Sequence, residues 1–140
     1  MYAKKITYTD YNGNQREDVF YFNLNKAEIM EMELGVVGGM TQYINKMIAQ
    51  EDGPGLAQFY KDMILKAYGE KSLDGKRFIK NQELRDAFEQ TDAYSELYME
   101  LVTDTDKASE FVRGIMPAQI AGAVTEDHIK SELKLIDAEQ

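Results

Sequence analysis

Cysteine is absent from the 140 residues, histidine occurs once, proline twice, and positive charge is the minority sign, with 16 lysines and arginines against 25 aspartates and glutamates. Each shortage closes a class of explanation. Without cysteine the chain has neither disulfides nor thiolate metal ligands. His128 has no second imidazole with which to share a metal, and its neighbours read as the exposed first turn of a helix rather than the base of a nucleophilic triad. A formal net charge of −9 repels a phosphate backbone and an anionic membrane surface alike, so neither nucleic acid nor membrane is expected as a partner. No opening apolar run resembles a signal peptide, and none is long enough to span a bilayer, which points to the cytoplasm.

The length suits one domain. Near the N-terminus, Lys4 to Thr9 and Val19 to Phe22 are β-prone segments separated by Asp10-Tyr11-Asn12-Gly13-Asn14, a hairpin signal centred on Asn-Gly. Two registers are open. A two-residue Asn12-Gly13 turn sets Ile6 opposite Val19, a loop through Asn14 sets it opposite Phe20, and both leave the second strand apolar enough for cover on both faces.

Asn25 with Glu28 three residues on reads as a capping box, opening a helix whose Ile29, Met30, Met32 and Leu34 are too apolar for a surface position alone. Gly35 to Gly39 interrupts it. Met40, Tyr43, Ile44, Met47 and Ile48 resume a helical stripe, Asp52-Gly53-Pro54-Gly55 breaks it, and Leu56, Phe59, Tyr60, Met63, Ile64 and Ala67 restart it.

The stretch from Ala67 to Pro117 is the most regular. Asp74-Gly75 marks a turn, with Phe78 and Ile79 expected to pin it to the core, and Asn81 is placed to cap a helix with Leu84, Ala87 and Phe88 inward. Tyr94, Leu97, Tyr98, Leu101 and Val102 then form one stripe, and Ala108, Phe111, Val112, Ile115 and Met116 another, ended by Pro117. These patterns predict an α+β fold, mainly helical, with an N-terminal β-hairpin packed on a bundle of five or six short helices. Residues 1–117 form a single globular domain. Residues 118–140, with a narrow stripe of Ile129, Leu133 and Ile136, form a tail that is mobile or a loosely docked helix.

No constellation in the chain names a reaction. Asp104-Thr105-Asp106 lacks the glycine and closing glutamate of a calcium loop and reads as a helix cap. Gly35 to Gly39 lacks the Lys-Ser/Thr of a phosphate cradle. Glu28, Glu31 and Glu33 are spread around a helix, as on a solvated face. The expectation is therefore no catalytic residue, no cofactor, no metal and no enzyme. Binding is better supported. Eight methionines and a high aromatic count supply adaptable apolar surface, mostly as core. Met99 falls off its helix's buried stripe, and Tyr94 and Tyr98 can bury a ring while keeping a hydroxyl wet, so Tyr94, Tyr98 and Met99 are the candidate partner contacts.

The wording of this region carries a resemblance. Ala67-Tyr68-Gly69-Glu70-Lys71-Ser72, Asp74-Gly75, Arg77-Phe78-Ile79-Lys80, Ala93-Tyr94-Ser95-Glu96-Leu97 and Thr103-Asp104, with Phe22-Asn23-Leu24-Asn25-Lys26-Ala27-Glu28 upstream, resemble the tail assembly chaperones of long-tailed bacteriophages and prophages. The similarity runs from about Ile6 to Pro117. It implies a non-enzymatic protein of the bacterial cytoplasm, absent from the mature virion. Such a protein binds the tape-measure protein, keeps it soluble and recruits tail-tube subunits, the major tail protein among them. The resemblance also implies a longer, frameshifted form, and leaves homo-oligomerisation open. The alternative is a structural tail or head-tail connector component retained in the virion.

Overall fold

Asp10 decides where the first hairpin turns. One oxygen of its carboxylate accepts from the backbone N–H groups of Asn12 and Asn14, both at 2.9 Å, and the other takes Arg16 Nε at 2.6 Å. Gly13 lies at φ 83°, a left-handed conformation that glycine enters without a side-chain clash. The loop closes over Tyr11, Asn12 and Gly13, with Asp10 N–H donating to the Asn14 carbonyl at 2.8 Å. Strand β1 (Tyr2–Thr9) thereby pairs antiparallel with β2 (Gln15–Phe22), placing Ile6 opposite Asp18. Neither expected register forms, because the Asp10 carboxylate closes the loop one position earlier than the Asn-Gly signal places it. Phe20 and Phe22 share the inner face with Ile6, while Val19 points outward and is 49% exposed. The second strand is covered on one face, not both.

The structure, a computed structural model, describes residues 1–116, without the side chains of Thr41, Ile44 and Ile48. The expected tail, with His128 and the Ile129, Leu133 and Ile136 stripe, lies outside the described residues, as do Pro117 and the proposed boundary there.

The hairpin is half of a larger sheet. Strands β3 (Tyr68–Lys71) and β4 (Phe78–Ile79) extend it in the order β1-β2-β3-β4, every pair antiparallel. Four- and two-residue strands carry too little alternation to stand out in a sequence, and only their turn was visible. That turn is built by Asp74, which accepts from Ser72 Oγ at 2.6 Å and from Lys76 N–H at 3.0 Å. Gly69 permits the close approach of β3 to β4, since a Cβ there would stand 2.7 Å from the Ile79 carbonyl oxygen. Phe78 and Ile79 are only half-buried.

Among the described residues there are six helices, five of them opened by a side-chain cap. The Asn25 and Glu28 capping box opens α1 (Lys26–Leu34), and α2 (Gly39–Ala49) follows the glycine break. Asp52 caps α3 (Gly53–Ala67), with Pro54 in the first turn, where its missing N–H costs nothing. Asn81, Thr91 and Asp104 cap α4 (Gln82–Glu89), α5 (Asp92–Thr103) and α6 (Thr105–Ile115). Ala87 is exposed rather than inward, and its neighbour Arg85 instead turns in to donate to the Leu65 carbonyl at 3.2 Å.

The core joins sheet to helices through Phe22, Leu24, Met63, Ile64, Leu97, Phe111 and Ile115, all fully buried. Just past β2 the backbone is tied twice: Asn23 N–H donates to the Ala67 carbonyl and Leu24 N–H to the Ile115 carbonyl, both at 2.8 Å.

Two predictions test this account. Leu97→Ala, at a position 1% exposed, should cost about 2–5 kcal/mol in chemical denaturation; a loss below about 0.5 kcal/mol would show that this face is not core. The second concerns acid. The hydrogen bond from Arg16, with those from Asn14 and Asn12, holds the Asp10 carboxyl below its usual range. A depressed carboxylate stabilises the fold above the unfolded value, near about pH 4, and that contribution disappears as pH falls through the folded value. Asp10→Asn should therefore be less stable than the parent at neutral pH, with the gap closing in acid; a gap constant across a urea-melt pH series would refute this.

Candidate interaction surface

Helix α5 does not present its three candidate residues on one face. Tyr94 and Tyr98, one turn apart, stack with ring centroids 6.1 Å apart, and Tyr94 meets the Phe88 ring edge-on at 5.9 Å. Both tyrosines are half-buried against the core. Burial pushes the Tyr94 hydroxyl up to about 12, helped by the charge of Glu89, then Tyr98 and Asp62, so Tyr94 is a neutral hydrogen-bonding group at any physiological pH. Met99 lies around the helix from this pair, 52% exposed, beside Lys4 to Thr7 of β1 and near Glu96, Glu100 and Thr103. The structure brings the tyrosines together and leaves Met99 apart.

Several exposed apolar side chains lie on α1 and the turn into α2, where the apolar content of the sequence predicts cover. Met30 is 57% exposed, Leu34 78% and Val37 100%, with Tyr43 beyond them on α2. No residue of α1 is fully buried. The apolar residues of α1 point to several sides rather than forming one stripe, so only Ile29 and Met32 reach the core. Met30 and Leu34, at i and i+4, form an outward ridge, and Val37 is fully exposed in the turn that follows the helix. Exposed Glu31 and Glu33 flank it.

This ridge is held from both ends. Lys80, on the segment after β4, donates to the Asn23 carbonyl at 2.6 Å and to Glu28 Oε2 at 2.7 Å. Burial lowers the Lys80 ammonium below its ordinary value despite the Glu28 bond that opposes the shift. At the far end Glu33 Oε2 accepts from Met40 N–H at 3.0 Å, where a carboxylate complements the positive end of α2. Glu28 and Glu33 are thus fastenings of α1, and of the three glutamates expected to form a solvated face Glu31 and Glu33 are exposed while Glu28 is drawn in by Lys80. A positional signal for the ridge was present in the sequence, since apolar residues on all sides of a nine-residue helix cannot all be buried by one neighbour.

Among the described residues no group of three His, Asp or Glu side chains is placed to hold a metal ion, and no helix is long and apolar enough to cross a membrane. Asp104, at the start of the rejected calcium loop, spends its carboxylate on the N–H groups of Asp106 and Lys107 at 3.0 and 3.2 Å.

A protein-family model described as phage tail assembly chaperone matches residues 1–140, and the chain belongs to that family. The match includes the residues after Pro117, where the resemblance drawn from sequence phrases stopped. No curated protein and no solved structure matches the chain.

Because the ridge makes few intramolecular contacts, replacing Met30, Leu34 and Val37 together by Ser should change the folding free energy by no more than about 0.5 kcal/mol per site. The same variant should bind less of an apolar dye. A cooperative loss of several kcal/mol would show instead that the ridge supports the fold.

Proposed function

We propose that this tail assembly chaperone binds the tape-measure protein in the cytoplasm of the bacterial host, keeps it soluble before the tail tube encloses it, and brings major tail protein subunits to it without remaining in the virion. The observation that carries the reading is the outward ridge of Met30, Leu34 and Val37 with its acidic flanks Glu31 and Glu33. An apolar ridge on a rigidly fastened helix suits the apolar stripe of another amphipathic helix, packed ridge into groove. The flanking carboxylates and the net charge of −9 favour a partner with basic residues beside its stripe. Met30 gives the ridge an adaptable side chain, which suits a protein that must accept many successive turns of a long helix. The role calls for binding alone and for no reaction. Tyr94, Tyr98 and Met99 are secondary contacts in this reading, since they face other directions.

The test is co-expression with a tape-measure protein from the same phage or prophage. The partner should move from the pellet to the soluble fraction and co-elute with more than one chaperone copy. The Met30→Ser, Leu34→Ser double variant should bind at least about tenfold more weakly, a change of about 1.4 kcal/mol. A partner that is soluble alone and never co-purifies, or recovery of this chain in purified virions, would favour a structural tail component instead.

A further inference from the structure

Among the described residues strand β1 is an outer strand of the sheet, with no strand paired on its other edge. In an antiparallel pair, hydrogen-bonded and non-bonded positions alternate. The Asp10–Asn14 bond fixes the phase: Tyr2, Lys4, Ile6 and Tyr8 bond to β2, and Ala3, Lys5, Thr7 and Thr9 turn their N–H and C=O groups away from it. Among the described residues nothing pairs with those outward groups.

Edge strands commonly carry lysines whose charge keeps other strands away. Here both are answered within the chain, Lys4 by Glu100 at 2.9 Å and Lys5 by Glu17. Beneath the edge, α5 leaves an open groove floored by Met99, the one large exposed apolar side chain of that helix. A strand added to β1 would run over this groove and cover it. Free backbone edge and uncovered methionine therefore describe a single vacancy.

We propose that a second copy of this chain fills it, its β1 antiparallel to this one about a two-fold axis at Ile6. The register follows from self-complementarity. With Ile6 opposite its counterpart, Lys5 meets Thr7, Ala3 meets Thr9 and Lys4 meets Tyr8, so every outward backbone group from Ala3 to Thr9 is paired and no like charges face each other. A shift that centres Lys5 sets lysine against lysine, and one that centres Thr7 leaves Ala3 without a strand partner. The result is one continuous sheet through two copies, with Ile6 and Met99 of both beneath the seam. The net charge of −9 on each copy opposes association at long range, so the dimer strengthens as salt is raised. This inference does not use the α1 ridge; it covers Met99, so in the dimer Tyr94 and Tyr98 are left as the secondary contacts of the proposed function.

Sedimentation velocity of the full chain over a range of concentrations tests it. The parent should reach twice the monomer mass, and Thr7→Pro should raise the dissociation constant at least tenfold with an unchanged circular dichroism spectrum. Proline there removes an outward N–H and leaves the β1–β2 ladder whole. Thr7→Val, which keeps that N–H, should remain dimeric. A parent that is monomeric throughout, or a dimer indifferent to Thr7→Pro, overturns the proposal. Should the proline variant not fold, a nitroxide on Thr7→Cys decides, because the chain has no other cysteine and strand spacing puts the two Thr7 Cα atoms within about 10 Å. Spectral broadening supports the seam; its absence in an assembled sample overturns it.

Discussion

The Phe22 ring is the contact on which the architecture converges. Fully buried, it lies 5.8 Å from the Tyr68 ring, 5.8 Å from Phe88 and 5.3 Å from Phe111, and so touches β3, α4 and α6 from the end of β2. Tyr68 and Phe88 stack at 4.3 Å, and Phe20 closes the cluster at 5.1 Å from Phe88. Offset and edge-on ring pairs add roughly 0.5–1.5 kcal/mol each beyond the area they bury. Their directional preference matters as much, because it fixes how the helices sit on a sheet too small to orient them by shape alone. Register in the first hairpin is therefore no local detail. A slip of one residue would send Phe20 and Phe22 to the solvent face, and the Asp10 turn is what prevents it.

How much of this was readable from the chain depended on the range of the interaction involved. Three caps were plain, since Asn25, Asn81 and Asp104 each bond the N–H groups that their spacing implied, whereas Asp52 read only as a helix break and Thr91 not at all. The stripes of α5 and α6 were equally plain, with Leu97, Leu101, Phe111 and Ile115 buried as their period requires. Those are contacts within a turn or two, and periodicity encodes them. The register of β1 and β2 was not readable, since it turned on which oxygen acceptor closed the loop. The strands β3 and β4 escaped because they exist through pairing with distant partners rather than through their own alternation. The exposure of the α1 ridge was not readable for a related reason: its apolar content was clear, but whether a neighbour covers it is a tertiary fact.

Core and exposed apolar residues are segregated along the chain. The aromatic cluster, the sheet and α4 to α6 share one continuous core, while α1 is fastened mainly by polar links, the Asn25 cap, Lys80 to Glu28 and Glu33 to Met40. Polar fastenings hold a helix in place without burying its sides. That leaves Met30, Leu34 and Val37 outward, whereas hydrophobic docking would have turned them in. In such an arrangement order and exposure coexist.

The bond from Leu24 N–H to the Ile115 carbonyl joins the first third of the chain to the end of its sixth helix. With the contact of Phe22 and Phe111 beside it, this closes the fold through partners that are among the last to be made. During synthesis the hairpin emerges with Phe22 and Leu24 unshielded and must wait for α6 before either is sealed. A chain interrupted ahead of α6 would be a sticky fragment rather than a smaller chaperone. Assembly of the fold is thus a late, single event, so only finished molecules offer the α1 ridge without also offering their own core.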